Sequence, residues 1–157
     1  KMIHKSKVKS LLIIGLVLNL TACNTRAVKE EDNKVSKNDL IKIKKETELA
    51  YLNDDLVMSE KGYEILVKSI PSDASYWFRL ANIYAQTNRP LAATNLYREA
   101  LVRDAKNSKA WYNLSVIQLK QTAHSLNEML IYTDIGDPLY VKAKNMLEAI
   151  KNLVVQD

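Results

Sequence analysis

Between residues 39 and 154 the apolar positions recur at helical spacing. Trp77, Leu80, Ala81 and Tyr84 stand at i, i+3, i+4 and i+7, one face of a helix, and Ala93, Tyr97 and Ala100 repeat the pattern a little later. Strict alternation, the mark of a half-buried strand, is missing from any stretch long enough to matter. Breaks fall where turn and cap residues stand. Asp54-Asp55 suits a turn followed by an N-cap, Pro71 closes a segment, and Pro90 fits the first turn of a helix, where its missing N–H costs nothing. Gly136-Asp137-Pro138 reads as a break, a cap and a first-turn proline. The pattern predicts an all-α protein with helices near 39–52, 55–69, 74–86, 90–103, 108–121, 123–133 and 138–154.

One segment is echoed by another. Trp77-Phe78-Arg79-Leu80-Ala81-Asn82-Ile83-Tyr84 returns as Trp111-Tyr112-Asn113-Leu114-Ser115-Val116-Ile117-Gln118, 34 residues on. These residues resemble the tetratricopeptide repeat, which places Trp, Leu, a small residue and Tyr on a first helix and Ala, an aromatic and Ala on a second. Residues 74–107 match through Trp77, Leu80, Ala81, Tyr84, Ala93, Tyr97 and Ala100, with Ala105 where the closing proline is expected. Residues 108–141 keep Trp111, Leu114 and Ser115 and then depart, with Gln118, Asn127, Ile131 and Asp134 in the remaining slots. Residues 40–73 fit through Ala50-Tyr51-Leu52, Tyr63 and Pro71. The resemblance implies a superhelix of about three helix pairs, its two tryptophans packed in the core. The helix at 138–154, with Leu139, Val141, Ala143, Met146, Leu147, Ile150, Leu153 and Val154, would cap the open end.

The resemblance also implies a concave groove lined by the first helix of each pair. By its register Lys44, Glu48 and Tyr51 face the groove from the first unit, Phe78, Asn82 and Ala85 from the second, and Tyr112, Val116 and Leu119 from the third. Such a trough suits a partner helix or an extended peptide. Some members hold a C-terminal carboxylate in a clamp of Lys, Asn and Arg; Lys44, Asn82 and Lys109 suggest one, although Glu48 stands where an amide is wanted.

The first 38 residues read as an address and a tether. Lys1, Lys5, Lys7 and Lys9 precede the apolar run Leu11–Leu20, which is far shorter than the roughly 20 apolar residues of a permanent span. A basic start and a short apolar stretch read as a secretory signal over 1–22. Leu20-Thr21-Ala22-Cys23 resembles the bacterial lipobox, which implies cleavage before Cys23 and acyl chains on it that hold the chain to a membrane. Asn24, where aspartate commonly signals retention in the inner membrane, points to the outer membrane, facing the periplasm. Residues 23–38 hold only two valines as sizeable apolar groups after Cys23 and read as a flexible tether, leaving 39–157 as the repeat domain.

Charge and chemistry narrow the rest. The net charge of +5 falls to about +1 once the four lysines of 1–22 are set aside, so the domain lacks the clustered cations of a nucleic-acid binder. With three glycines there is no phosphate-cradling loop, and with His124 as the domain's single histidine there is no imidazole-based catalytic pair or metal cluster. Glu30-Glu31-Asp32 reads as a solvated charge run and His124 as a surface or capping residue at a helix start. No cofactor, small-molecule substrate or enzymatic activity is expected. The expected role is a lipid-anchored, protein-binding adaptor of the bacterial envelope, similar in design to pilotins and to assembly lipoproteins of type IV or tight-adherence pili. A regulator of cell-wall enzymes and a purely structural envelope lipoprotein are the alternatives.

Overall fold

Most of the helix starts are set by short polar side chains that take up free backbone donors. In the computed structural model, which describes residues 35–154, Ser36 caps α1 (Lys37–Leu52) by accepting from the Asp39 N–H at 3.2 Å. Asp55 caps α2 (Leu56–Ser69) through the Met58 N–H at 3.0 Å, and Asp73 caps α3 (Ala74–Gln86) through the Ser75 N–H at 2.9 Å. Pro90 opens α4 (Pro90–Arg103) without a side-chain cap. Asn107 caps α5 (Ser108–Tyr132) through the Ala110 N–H at 3.0 Å, and Asp137 accepts from the Leu139 N–H at 2.7 Å to open α6 (Pro138–Val154). Each such cap contributes about 1 kcal/mol. Every regular element among the described residues is helical, as the spacing predicts. The signal segment, the lipobox and Cys23 lie outside the described residues, and α1 begins two residues inside the stretch read as tether.

Each helix packs chiefly against its neighbours in sequence, α1 on α2, α2 on α3, and so on to α6. Two buried clusters result. One holds Tyr63, Leu66, Val67, Tyr76, Leu80 and Ile83; the other centres on Ala81, Ala93, Tyr97, Leu101, Ala110, Leu114 and Ile117. Tyr84 and Leu96 pack against both, so the core is continuous from α2 to α5. A clasp of charged and aromatic groups reinforces this join. The Arg89 guanidinium lies 3.8 Å from the centre of the Tyr84 ring and donates to Glu60 at 2.7 Å, holding the Glu60 carboxyl below its usual range.

The 34-residue period governs geometry as well as composition. Asp54 and Asn88, one period apart, both adopt the left-handed conformation, with φ of 55° and 56°. The following N–H reaches back five residues in each case, from Asp55 to the Ala50 carbonyl at 2.9 Å and from Arg89 to the Tyr84 carbonyl at 2.8 Å. Asp and Asn tolerate this conformation better than other residues with a Cβ. The links between pairs repeat too. Trp77 Nε1 donates to the Pro71 carbonyl at 2.9 Å and Trp111 Nε1 to the Ala105 carbonyl at 3.0 Å.

Four expectations are corrected. The helices expected at 108–121 and 123–133 are one continuous helix, α5. One further period along, Thr122 stands where Asp54 and Asn88 turn the chain, and a β-branched residue resists positive φ. Its hydroxyl instead donates to the Gln118 carbonyl at 2.9 Å within the helix. His124 therefore lies in mid-helix and not at a helix start. The tryptophans are staples more than core: Trp77 is partly buried, with the Arg103 guanidinium 4.3 Å above its ring, and Trp111 is 52% exposed. Finally, α6 buries only Ala143, Leu147 and Ile150, while Leu139, Val141, Met146 and Leu153 stay exposed, so its apolar face is half covered.

Candidate binding groove

A polar ladder joins the first helices of successive pairs. Asn82 on α3 sits at its centre. Its Nδ2 donates to the Tyr51 hydroxyl on α1 at 3.0 Å, and its Oδ1 accepts from the Tyr97 hydroxyl at 2.6 Å and from Asn113 Nδ2 on α5 at 3.0 Å. Asn113 Nδ2 also lies 3.2 Å from the Tyr97 hydroxyl. Tyr97 is fully buried on α4, and burial pushes its phenol up to about 12, with the Asn113 hydrogen bond pulling the other way. Every oxygen lone pair of the Asn82 amide is engaged, and one of its two N–H groups remains for an occupant.

This ladder floors a cavity of about 420 Å³, whose rim includes Ala85, Gln86, Tyr112, Val116, Lys120 and Val154. Val154, on the last turn of α6, brings the C-terminal helix to the edge of the trough. A second recess of about 860 Å³ adjoins the first and shares Ala85, Ile117 and Lys120 with it. Asn88, Pro90 and Leu91 line it from the α3–α4 corner, and Gln121, His124 and Ser125 from α5. Both volumes lie in the range of ligand-sized pockets. Among the described residues no carboxylate lines either recess.

The predicted groove residues are placed as follows. Tyr51 and Asn82 are bonded to each other, and Asn82, Tyr112 and Val116 share the first cavity. Phe78 is half-buried against the second core cluster, its ring centre 5.9 Å from that of Tyr97. Lys44 is exposed on α1 with its ammonium 5.9 Å from the centre of the Tyr76 ring, and Lys109 is exposed in the first turn of α5. Neither lysine lines the cavities. Sequence reasoning passed over Asn113, Lys120 and Gln121 as groove members. Asn113 could have been found as the residue beside Tyr112 that follows Asn82 at the same spacing, 31 residues, by which Asn82 follows Tyr51. The others carry no such signal, because neither falls at a repeat position that the resemblance assigns to the groove.

Among the described residues no group of three or more His, Cys, Asp or Glu side chains could hold a metal ion, and no helix is long and apolar enough to cross a membrane. A scan of the chain against protein-family models gives no match, nor does a search of curated protein sequences.

Proposed function

We propose that this chain is a lipid-anchored adaptor of the bacterial outer membrane whose tetratricopeptide-type helix stack holds one protein component of a pilus or secretion machine during assembly. The observation that carries the binding half is the trough itself. Three first helices, α1, α3 and α5, contribute Tyr51, Asn82 and Asn113 to one ladder, and the surface above it is concave, mixed apolar and amide in character, and free of carboxylates among the described residues. A peptide or helix laid there meets amide donors along its length and apolar patches at Tyr112 and Val116. The recurrence of the turn at Asp54 and Asn88, and of the indole staple at Trp77 and Trp111, supports the repeat reading. The anchor rests on Leu20-Thr21-Ala22-Cys23 and the basic, then apolar, leader before it. Two acyl chains or more give stable attachment where one does not.

Two experiments test the two halves. Cys23→Ala is expected to abolish incorporation of labelled fatty acid and to release the protein from the membrane fraction; persistent labelling would overturn the anchor. For the groove, Tyr112→Ala with Val116→Glu removes the exposed apolar anchor without touching the buried clusters. In-membrane photocrosslinking from position 112 is expected to trap a discrete partner in the parent protein, and this double variant is expected to lower capture at least tenfold at unchanged helicity. Equal capture would move the binding face elsewhere.

A further inference from the structure

We infer that the larger of the two recesses, beside the ladder, reads an acidic side chain of the partner, and that Lys120, Gln121 and His124 are the groups that read it. The inference rests on the protein-binding reading above and deepens it. Three observations converge. First, the recess presents the Lys120 ammonium and the His124 imidazole with no carboxylate in its lining, and Lys120 forms no ion pair among the described residues. Both side chains are solvent-exposed while lining the recess, and the field of an uncompensated cation in a concavity attracts a negative group. Second, Gln121 Nε2 is shielded from solvent and has no hydrogen-bond partner. A buried donor left unpaired is costly, and such groups in folded proteins call for an explanation; an acceptor supplied by a ligand is one. Third, the lining is partly apolar, with Ala85, Pro90 and the exposed Leu91 on the α3–α4 side and Ile117 on α5.

This arrangement exists because α5 does not turn at Thr122. A turn there, like those at Asp54 and Asn88, would carry residues 123–125 away from the α3–α4 corner. The uninterrupted helix instead sets Lys120, Gln121 and His124 on nearly one face, opposite Asn88 and Pro90. The occupant that fits is a segment carrying Asp or Glu next to an aliphatic or aromatic residue. Its carboxylate accepts from Lys120 Nζ and an imidazole N–H, and from Gln121 Nε2 once that side chain turns toward the recess, and its apolar neighbour lies on Pro90 and Leu91. The site is separate from Lys44 and Lys109, which line neither recess.

The test uses the full chain in detergent as bait for a phage-displayed library of random dodecapeptides at low salt. Enriched peptides are expected to carry Asp or Glu beside an apolar residue. Lys120→Glu is expected to weaken a synthetic copy of the best peptide at least tenfold by calorimetry, and changing that peptide's acid to Lys is expected to restore binding to Lys120→Glu. Gln121→Leu is expected to weaken the peptide while leaving the melting temperature unchanged or higher, an outcome that a purely structural glutamine would not produce. Peptides without acidic enrichment, or an affinity indifferent to Lys120→Glu, would overturn this inference and leave the adaptor reading standing. Complete failure to enrich any peptide would overturn both.

Discussion

Gly62 on α2 faces Thr47 on α1, and both are buried. A Cβ built at Gly62 would overlap the Thr47 hydroxyl and lie 2.7 Å from its Cβ and 2.8 Å from its Cγ2, so the missing side chain sets the separation of the first helix pair. One period on, Ala81 stands in place of Thr47 and Leu96 in place of Gly62, so the small residue changes sides. Gly62→Ala gains about 1 kcal/mol of helix propensity but overpacks a close contact; a net loss of about 2 kcal/mol is expected in urea unfolding. Adding Thr47→Gly is expected to recover the packing part of that loss, and a double variant no better than the sum of the singles would refute the pairing. The tyrosines give a second residue-level prediction. Burial pushes the Tyr63 and Tyr97 phenols up to about 12 from an ordinary value of 10. The unfolded chain therefore sheds these protons before the folded one does, and stability is lost as pH rises from 10 to 12. Absorbance of the eight tyrosines is expected to show at least two late-ionising phenols whose appearance coincides with loss of helicity. Ionisation of all eight near pH 10 with native helicity intact would contradict it. Sequence reasoning placed Tyr97 in an aromatic slot and Asn82 in the groove. It could not show that they bond each other, because that depends on how closely α3 and α4 approach.

Turns decide what each helix becomes. Asp54-Asp55 and Pro90 were legible as boundaries because their chemistry is local: an acidic cap, a residue able to take positive φ, a first-turn proline. The boundary expected near residue 122 came from repeat phase and not from residue chemistry, and phase alone does not turn a chain. Thr122, at the position of Asp54 and Asn88, is unsuited to the left-handed conformation, and Gln121-Thr122-Ala123-His124 holds no proline, so helix propensity prevails and α5 reaches 25 residues. Transplanting the Thr87–Pro90 sequence to this position, as Gln121→Thr, Thr122→Asn, Ala123→Arg and His124→Pro, is expected to break α5. Carbon chemical shifts at position 122 should move from helical to left-handed values, with a matching loss of ellipticity. An unbroken helix in that variant would mean that packing against α6, not local chemistry, holds α5 straight.

At the scale of the molecule the stack is held by neighbour contacts, so its stability is local. The middle pair, α3 and α4, contributes nine buried residues, whereas α6 contributes three. Hydrogen exchange is expected to be slowest in α3 and α4 and at least tenfold faster in α6, where amides open by fraying. Uniform protection across all six helices would show a single cooperative unit instead. The all-helical architecture was open to reading from spacing and composition. The half-covered face of α6 was not, since Leu139, Met146 and Leu153 share a spacing of seven with no sequence signal to distinguish them from buried neighbours.

The Asn82 ladder has a mechanical consequence. Chains of stacked hairpins ordinarily bend like a spring, each joint yielding a little. Here one amide fastens α1, α4 and α5 to α3 at once, so any widening of the trough must rupture hydrogen bonds across the centre. Compliance is thereby displaced toward the far end, where α6 leans on a single neighbour, and a guest arriving at the middle encounters a gauge of set width.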